Sequence, residues 1–258
     1  MTTADVRAAL RVAAAAGPYF AVEEPDGERT WLPLARLLDD RDLLRARVEV
    51  ARTVLATRTG GAVDLRACAS INFLGTVARL VAPALGTAAI AGVVPAFTPD
   101  DLLWSPVDGG PIPTAVADPR GRPVEDADDA AKIIERDVVA TTVTPLVAAY
   151  ATTFRLSTQV LWGNVSSALV GAAGMLARTG VPQRLTAVDI VEAALRSGPL
   201  VDSGHYERPD PQRPRAFFVR HNCCLFYKIP SGGKCGDCVL VPPDGRADMW
   251  RQEPGRDT

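Results

Sequence analysis

Three features of the 258-residue sequence predict an α+β protein: a predominantly helical body, a small β-hairpin element in its middle, and a cysteine-rich module at its C-terminal end. Ala-, Leu- and Val-rich stretches are repeatedly bounded by Asp or Thr before and Gly after, as capped helices are. β-Branched and aromatic residues flank Asp108-Gly109-Gly110, a hairpin turn signal. Four of the five cysteines fall within the sixteen residues from Cys223 to Cys238. Hydrophobic residues make up 47% and charged residues 22%, enough for a buried core and too apolar for wholesale disorder.

The first helix is predicted from about Asp5 to Ala16, stopped by Gly17-Pro18. Two short extended pieces follow, Tyr19–Glu23 and Arg29–Pro33, around the turn-forming Pro25–Glu28. Asp39 and Asp40 precede a charged helix over 41–58 that ends at Gly60-Gly61, with Leu43, Leu44, Val48, Ala51 and Leu55 on one face. Asp64 opens a long Ala-rich helix. The hairpin falls near 101–117, and Pro119–Pro123 reads as loop. Helices resume at Asp128 and again from about Thr158 to Arg178, with Gly180 and Pro182 as stop signals. Another follows Thr186, whose hydroxyl is placed to cap it, and ends at Gly198-Pro199. From Val201 onward helix signals disappear, and Pro209, Pro211 and Pro214 mark an irregular connector. The expected organisation is a body over 1–204 with a C-terminal module over 205–258 packed on it, or a single domain.

Charge and apolar patterning exclude several classes of function. The net charge of −2 gives no drive toward nucleic acid. The uncharged runs between Arg79 and Asp100 and from Leu156 to Ala177 are long enough for a bilayer. Ala, Gly and Thr dominate them, and Pro83 and Pro95 break the first, so buried core helices are expected and no membrane span. Near the N-terminus Arg7 and Arg11 precede an alanine run too weakly apolar for a signal peptide, which points to the cytoplasm. The sequence has no Gly-x-Gly-x-x-Gly, P-loop or Gly-x-Ser-x-Gly motif, so a built-in flavin or nicotinamide domain is not expected.

The candidate chemistry lies in FFVRHNCCLFYKIPSGGKCGDCVL, with cysteines spaced C-C-x10-C-x2-C. In a reducing compartment such a cluster reads as a metal or redox site rather than a disulfide framework. Four thiolates suit zinc or an iron–sulfur cluster. Only Cys235-Gly-Asp-Cys238 has the turn that grips a single zinc ion. Adjacent Cys223 and Cys224 diverge on an extended backbone, which fits a centre of two metal atoms more easily than one. Cys68 sits in an apolar helical context and reads as a buried free thiol.

The cysteine pattern, preceded by a basic residue at Arg220, resembles the C-terminal motif of the FhuF-type ferric siderophore reductases. The phrase LWGNVSSAL over 161–169 is similar to a Trp-Gly-Asn-containing helix found upstream of the cysteines in that family. In order of elements the resemblance runs over roughly residues 60–240, and its specific part is the cysteine motif. One departure is Val239-Leu240-Val241 after the last cysteine, where family members often continue with Pro. The resemblance implies a 2Fe-2S cluster held by Cys223, Cys224, Cys235 and Cys238. It also implies one-electron reduction of a siderophore-bound ferric ion in the cytoplasm, with no catalytic residue beyond the cluster. An external donor, a ferredoxin- or flavin-type reductase, would supply the electron.

Arg220, His221, Lys228, Lys234 and Asn164 are candidates for surrounding or substrate-contacting roles. Asn164 is read as a docking partner for the cysteine module or part of a substrate wall, and Trp162 and Trp104 as packing. Residues 205–240 carry a net +3 while the remainder sums to −5. Cations there favour the reduced, more negative cluster and so raise its potential. Two other readings stay open: an iron–sulfur electron carrier or sensor without a siderophore site, and a zinc-stabilised interaction protein.

Overall fold

A computed structural model describes residues 1–209 and 216–252. Helix takes 57% of it and strand 10%, so the α+β expectation holds with helix dominant. α1 (Thr3–Ala14) starts ahead of Asp5 because Thr2 and Asp5 form a reciprocal capping box. A short α2 (Ala35–Asp39) leads into α3 (Arg41–Thr59), whose first amides are capped by Asp40 and whose end is Gly60 in the left-handed region.

α4 (Leu65–Ala91), capped by Asp64, runs through the centre of the core. It packs along α7 (Thr158–Thr179), with α1 and α3 against other faces. α4 and α7 are long and apolar enough to cross a membrane, but 78% and 56% of their most apolar windows are buried inside the protein. Most of the α4 window and just over half of the α7 window are spent on packing. Arg79, nearly fully buried on α4, donates to the carbonyls of Ile112 and Ala21 over 2.9 Å and also to that of Pro18. A guanidinium with its fork filled by backbone oxygens can be buried without a carboxylate, and here it ties the hairpin to α4.

β1 (Leu32–Pro33), β3 (Leu102–Trp104) and β4 (Thr114–Val116) form an antiparallel sheet in the order β1-β3-β4, which includes the expected hairpin. Of the piece expected at Tyr19–Glu23, only Glu23 bridges, to Ala115; Pro18–Phe20 is a 3-10 turn because proline starts it. Residues 119–123 are not loop: β5 (Arg120–Pro123) pairs antiparallel with β2 (Val93–Ala96). Pro119 and Pro123 argue for loop, yet two-stranded pairs tolerate proline on their free edges. Gly121 makes the approach possible, since a Cβ there would lie 2.9 Å from the Val94 carbonyl oxygen.

α5 (Ala127–Ile134) passes into a π-helical stretch (Glu135–Val143) and then α6 (Thr144–Phe154). α8 (Ala187–Ala194) ends short of Gly198. The Thr186 hydroxyl does not cap it; the Gln183 side chain accepts from the Ala187 amide at 2.9 Å instead. Beyond Val201 the expected irregular chain holds regular elements. A hairpin of β6 (Gly204–Glu207) and β7 (Phe217–Arg220) pairs His205 with Val219, and α9 (Pro243–Gln252) follows the cysteines. Pro243 and Asp244 suit a first helical turn, a signal masked in the sequence by the adjoining Pro242. Pro211 and Pro214 lie outside the described residues.

Candidate metal centre

All four clustered cysteines are free thiols, carried on the chain between β7 and α9. Cys224 and Cys238 are buried, while Cys223 and Cys235 are half-buried. Leu225, in the left-handed region, turns the backbone directly after the Cys223-Cys224 pair, and its amide donates to Cys223 Sγ at 3.4 Å. Cys224 Sγ meets Cys235 Sγ at 3.5 Å. The adjacent sulfurs therefore diverge to different partners. Cys235 and Cys238 share a turn closed by the Cys238 amide on the Cys235 carbonyl at 3.2 Å. Among the described residues no three His, Cys, Asp or Glu side chains converge as ligands of one ion. The set is a close thiol pair flanked by two further thiols, soft donors that fit an iron–sulfur cluster.

A buried polar frame fixes this segment to the body. Arg220 and Asn164 are 1% and 0% exposed. Arg220 Nη2 donates to Asn164 Oδ1 at 2.7 Å, and Arg220 Nε to the Asn222 carbonyl at 2.9 Å. Asn164 Nδ2 donates in turn to the Ser70 carbonyl at 2.9 Å and Ser70 Oγ at 3.0 Å. Ser70 Oγ donates to the Cys224 carbonyl at 2.8 Å. The frame thus runs from α4 through α7 to a cysteine backbone. Gly163 belongs to it by subtraction: a Cβ there would overlap Asn222 Oδ1 and come within 2.9 Å of Arg220 Nη2.

The same face of α7 makes two more attachments. Ser166 Oγ pairs with Ser203 Oγ at 2.6 Å, and the Ser203 carbonyl accepts from the His221 amide at 3.0 Å. The Ser167 hydroxyl donates to the Asp237 carboxylate. Of this frame, Arg220 and Asn164 stand out in the sequence alone. Ser70, Ser166, Ser167, Asn222 and Asp237 do not, although small and polar residues crowded into the apolar α7 are a usable signal.

The remaining candidates are placed differently. The His221 ring bonds the Asp202 carbonyl and His205 Nδ1, each at 2.8 Å, rather than a cysteine sulfur. Lys228 is exposed, and Lys234 donates to the Leu240 carbonyl at 3.0 Å. Trp104 is buried and Trp162 partly so, both in packing. Cys68 is a fully buried free thiol on α4, and burial pushes its pKa up to about 11. Of the charges close to the cysteines in sequence, Asp210, Arg213 and Arg215 lie outside the described residues.

Electrostatics divide the sulfurs. A hydrogen bond from the Cys235 thiol pulls Cys224 down to about 6, helped by the Phe226 amide and the Arg220 charge. Cys235 is raised by holding that shared proton, by burial and by the Asp237 carboxylate. Burial raises Cys223. Arg220 makes no ion pair among the described residues; its side chain bonds neutral oxygens, and its charge acts on Cys224 against that of the Asp237 carboxylate.

A segment of free, partly buried thiols held beside a buried cation has the donor set of a soft-metal or iron–sulfur centre. Residues 220–240 match the family model described as FhuF 2Fe-2S C-terminal domain. The match runs from Arg220 through all four cysteines and identifies the cofactor as a 2Fe-2S cluster. No curated protein matches the chain.

Proposed function

We propose that the protein is a cytosolic ferric-siderophore reductase in which Cys223, Cys224, Cys235 and Cys238 are the ligands of the 2Fe-2S cluster. The observation that carries the reading is the coincidence of the FhuF-type segment with four free thiols anchored by the Arg220–Asn164–Ser70 frame. When bound, the cluster supplies one electron per turnover. Ferric iron prefers hard oxygen donors far more than ferrous iron does, so one electron loosens the chelate and releases the metal.

The chain's own residues hold and tune. Ser70 fixes the Cys224 backbone, and Ser167 fixes Asp237 between Cys235 and Cys238. Arg220 places a permanent positive charge where negative charge grows on reduction. The half-buried Cys223 and Cys235 are the sulfurs that a chelate or a ferredoxin- or flavin-type donor would reach, with Tyr227, Lys228 and Lys234 exposed close by in sequence.

The test is anaerobic turnover of a ferric siderophore by the reduced protein, with ferrous iron trapped by a colorimetric chelator. Iron release should be lost in Cys223→Ser and Cys238→Ser. Wild-type rates in those variants would overturn the reading. A loaded cluster that passes no electron to any ferric siderophore would make the protein an electron carrier or sensor.

A further inference from the structure

A second polar site lies outside the Arg220–Asn164–Ser70 frame. α3, the first half of α4, the hairpin turn at 107–112 and Tyr19 line an open-sided cavity of about 210 Å³. Its walls are apolar, with Val54, Leu55, Ile71 and Ile112. At one side stands Arg47, whose guanidinium lies 5.5 Å from the Trp104 ring centre. Arg47 Nε is buried with no hydrogen-bond acceptor, and the buried Trp104 Nε1 also lacks one. Arg47 forms no ion pair among the described residues, and neither does Arg58, which also lines the cavity. Asn72 lines it too; its Oδ1 is taken by the Tyr150 hydroxyl at 2.6 Å, leaving its N–H groups to donate. The one carboxylate on the lining is the exposed Asp108.

A buried Arg47 Nε without an acceptor, with the unpaired charges of Arg47 and Arg58 beside an apolar space, calls for a ligand that brings both oxygen acceptors and negative charge. Buried guanidinium nitrogens normally have acceptors, as those of Arg79 do in this same fold, whereas the Nε of half-buried Arg47 has none. The volume falls below the roughly 300–1,000 Å³ of sites for drug-sized molecules, so the occupant is small or is one arm of something larger. One wall of the cavity, α4, also meets the cysteine segment. Ser70, which holds Cys224, immediately precedes Ile71 and Asn72, and Gly61 beyond α3 packs against Pro230.

We propose that this cavity binds a small organic carboxylate on Arg47. Resting on the reductase reading above, it receives a carboxylate arm of the ferric chelate.

The experiment is calorimetric titration of the full-length, cluster-loaded protein with citrate, using its neutral trimethyl ester as control. Citrate should bind with a Kd below about 10 mM, and the ester should not. Arg47→Met should weaken citrate by about tenfold or more, the scale of one charge-assisted contact. Gly75→Leu is the second variant: a Cβ at this cavity-lining helical position meets nothing within 4 Å, so leucine fills the space and leaves Arg47 in place. It should abolish binding with circular dichroism and visible spectrum unchanged. No heat with citrate, or equal affinity in both variants, overturns the site. Ferric citrate separates the two readings. Arg47-dependent citrate binding without reduction of any ferric chelate leaves the site standing and removes the reductase. Reduction with an unchanged KM in Arg47→Met leaves the reductase standing and removes the site's role in it.

Discussion

Arg220 and Asn164, fifty-six residues apart in sequence, meet in a 2.7 Å hydrogen bond between two almost completely buried side chains. That contact joins the cysteine segment to α7 and holds a guanidinium charge beside the thiols with no carboxylate bonded to it among the described residues. Arg220→Gln should lower the cluster's midpoint potential by an amount on the order of tens of millivolts, since it removes a nearby positive charge. Arg220→Lys, which keeps the charge, should move it less. Spectroelectrochemical titration of the three proteins checks this; equal potentials would show the charge to be screened.

Gly163→Ala should be far more damaging than helix propensity suggests. Alanine favours a helix interior by about 1 kcal/mol over glycine, but its Cβ would displace Asn222 and crowd Arg220. The expected result is net destabilisation by about 2–4 kcal/mol and faster cluster loss, as for other overpacked or disrupted buried networks. Denaturation midpoints and the decay of visible absorbance measure both.

Ser70→Ala removes the hydroxyl that donates to the Cys224 carbonyl and accepts from Asn164. It should cost about 1–3 kcal/mol, the range for orphaning buried partners. Iron release to a chelator should accelerate while the spectrum of the loaded protein stays unchanged. Thr152→Ala is the matched control, because the exposed Thr152 hydroxyl on α6 bonds the Ala148 carbonyl one turn back and does not enter the frame. Its iron-release rate should equal that of the unaltered protein.

The Cys224–Cys235 pair gives the metal-free protein a signed pH dependence. Cys224 is depressed to about 6 from the ordinary thiol value of 9.0, so its contribution is present above 9.0 and lost as pH falls through about 6. Cys235 is raised, so its contribution is present below 9.0 and lost as pH climbs through its elevated folded value. Stability of chelator-stripped protein should therefore rise from about pH 6 to 9.0 and turn down above it. Cys235→Ala should flatten the rise; an unchanged profile would refute the shared proton.

Much of the fold was legible in the sequence because the deciding interactions were local. Asp40, Asp64 and Gly180 fix helix ends through their own backbone neighbours, and the hairpin follows from Asp108-Gly109-Gly110. The thiols announce themselves by spacing. β5 and the β6–β7 hairpin were hidden because their pairing depends on partners outside each strand's own residues and prolines nearby argue against strand. The frame around Cys224 was hidden for a similar reason. Ser70 is an ordinary helical serine until folding brings it to a residue 154 positions away.

The most direct measurement is a single turnover without a donor. Protein with its cluster fully reduced is mixed anaerobically with a ferric siderophore, and the visible spectrum and trapped ferrous iron are followed together. A ferric-siderophore reductase should return to its oxidised spectrum with one ferrous ion released per cluster, at a rate first order in chelate at low concentration. A spectrum that stays reduced, or one that reoxidises without releasing ferrous iron, would contradict that function.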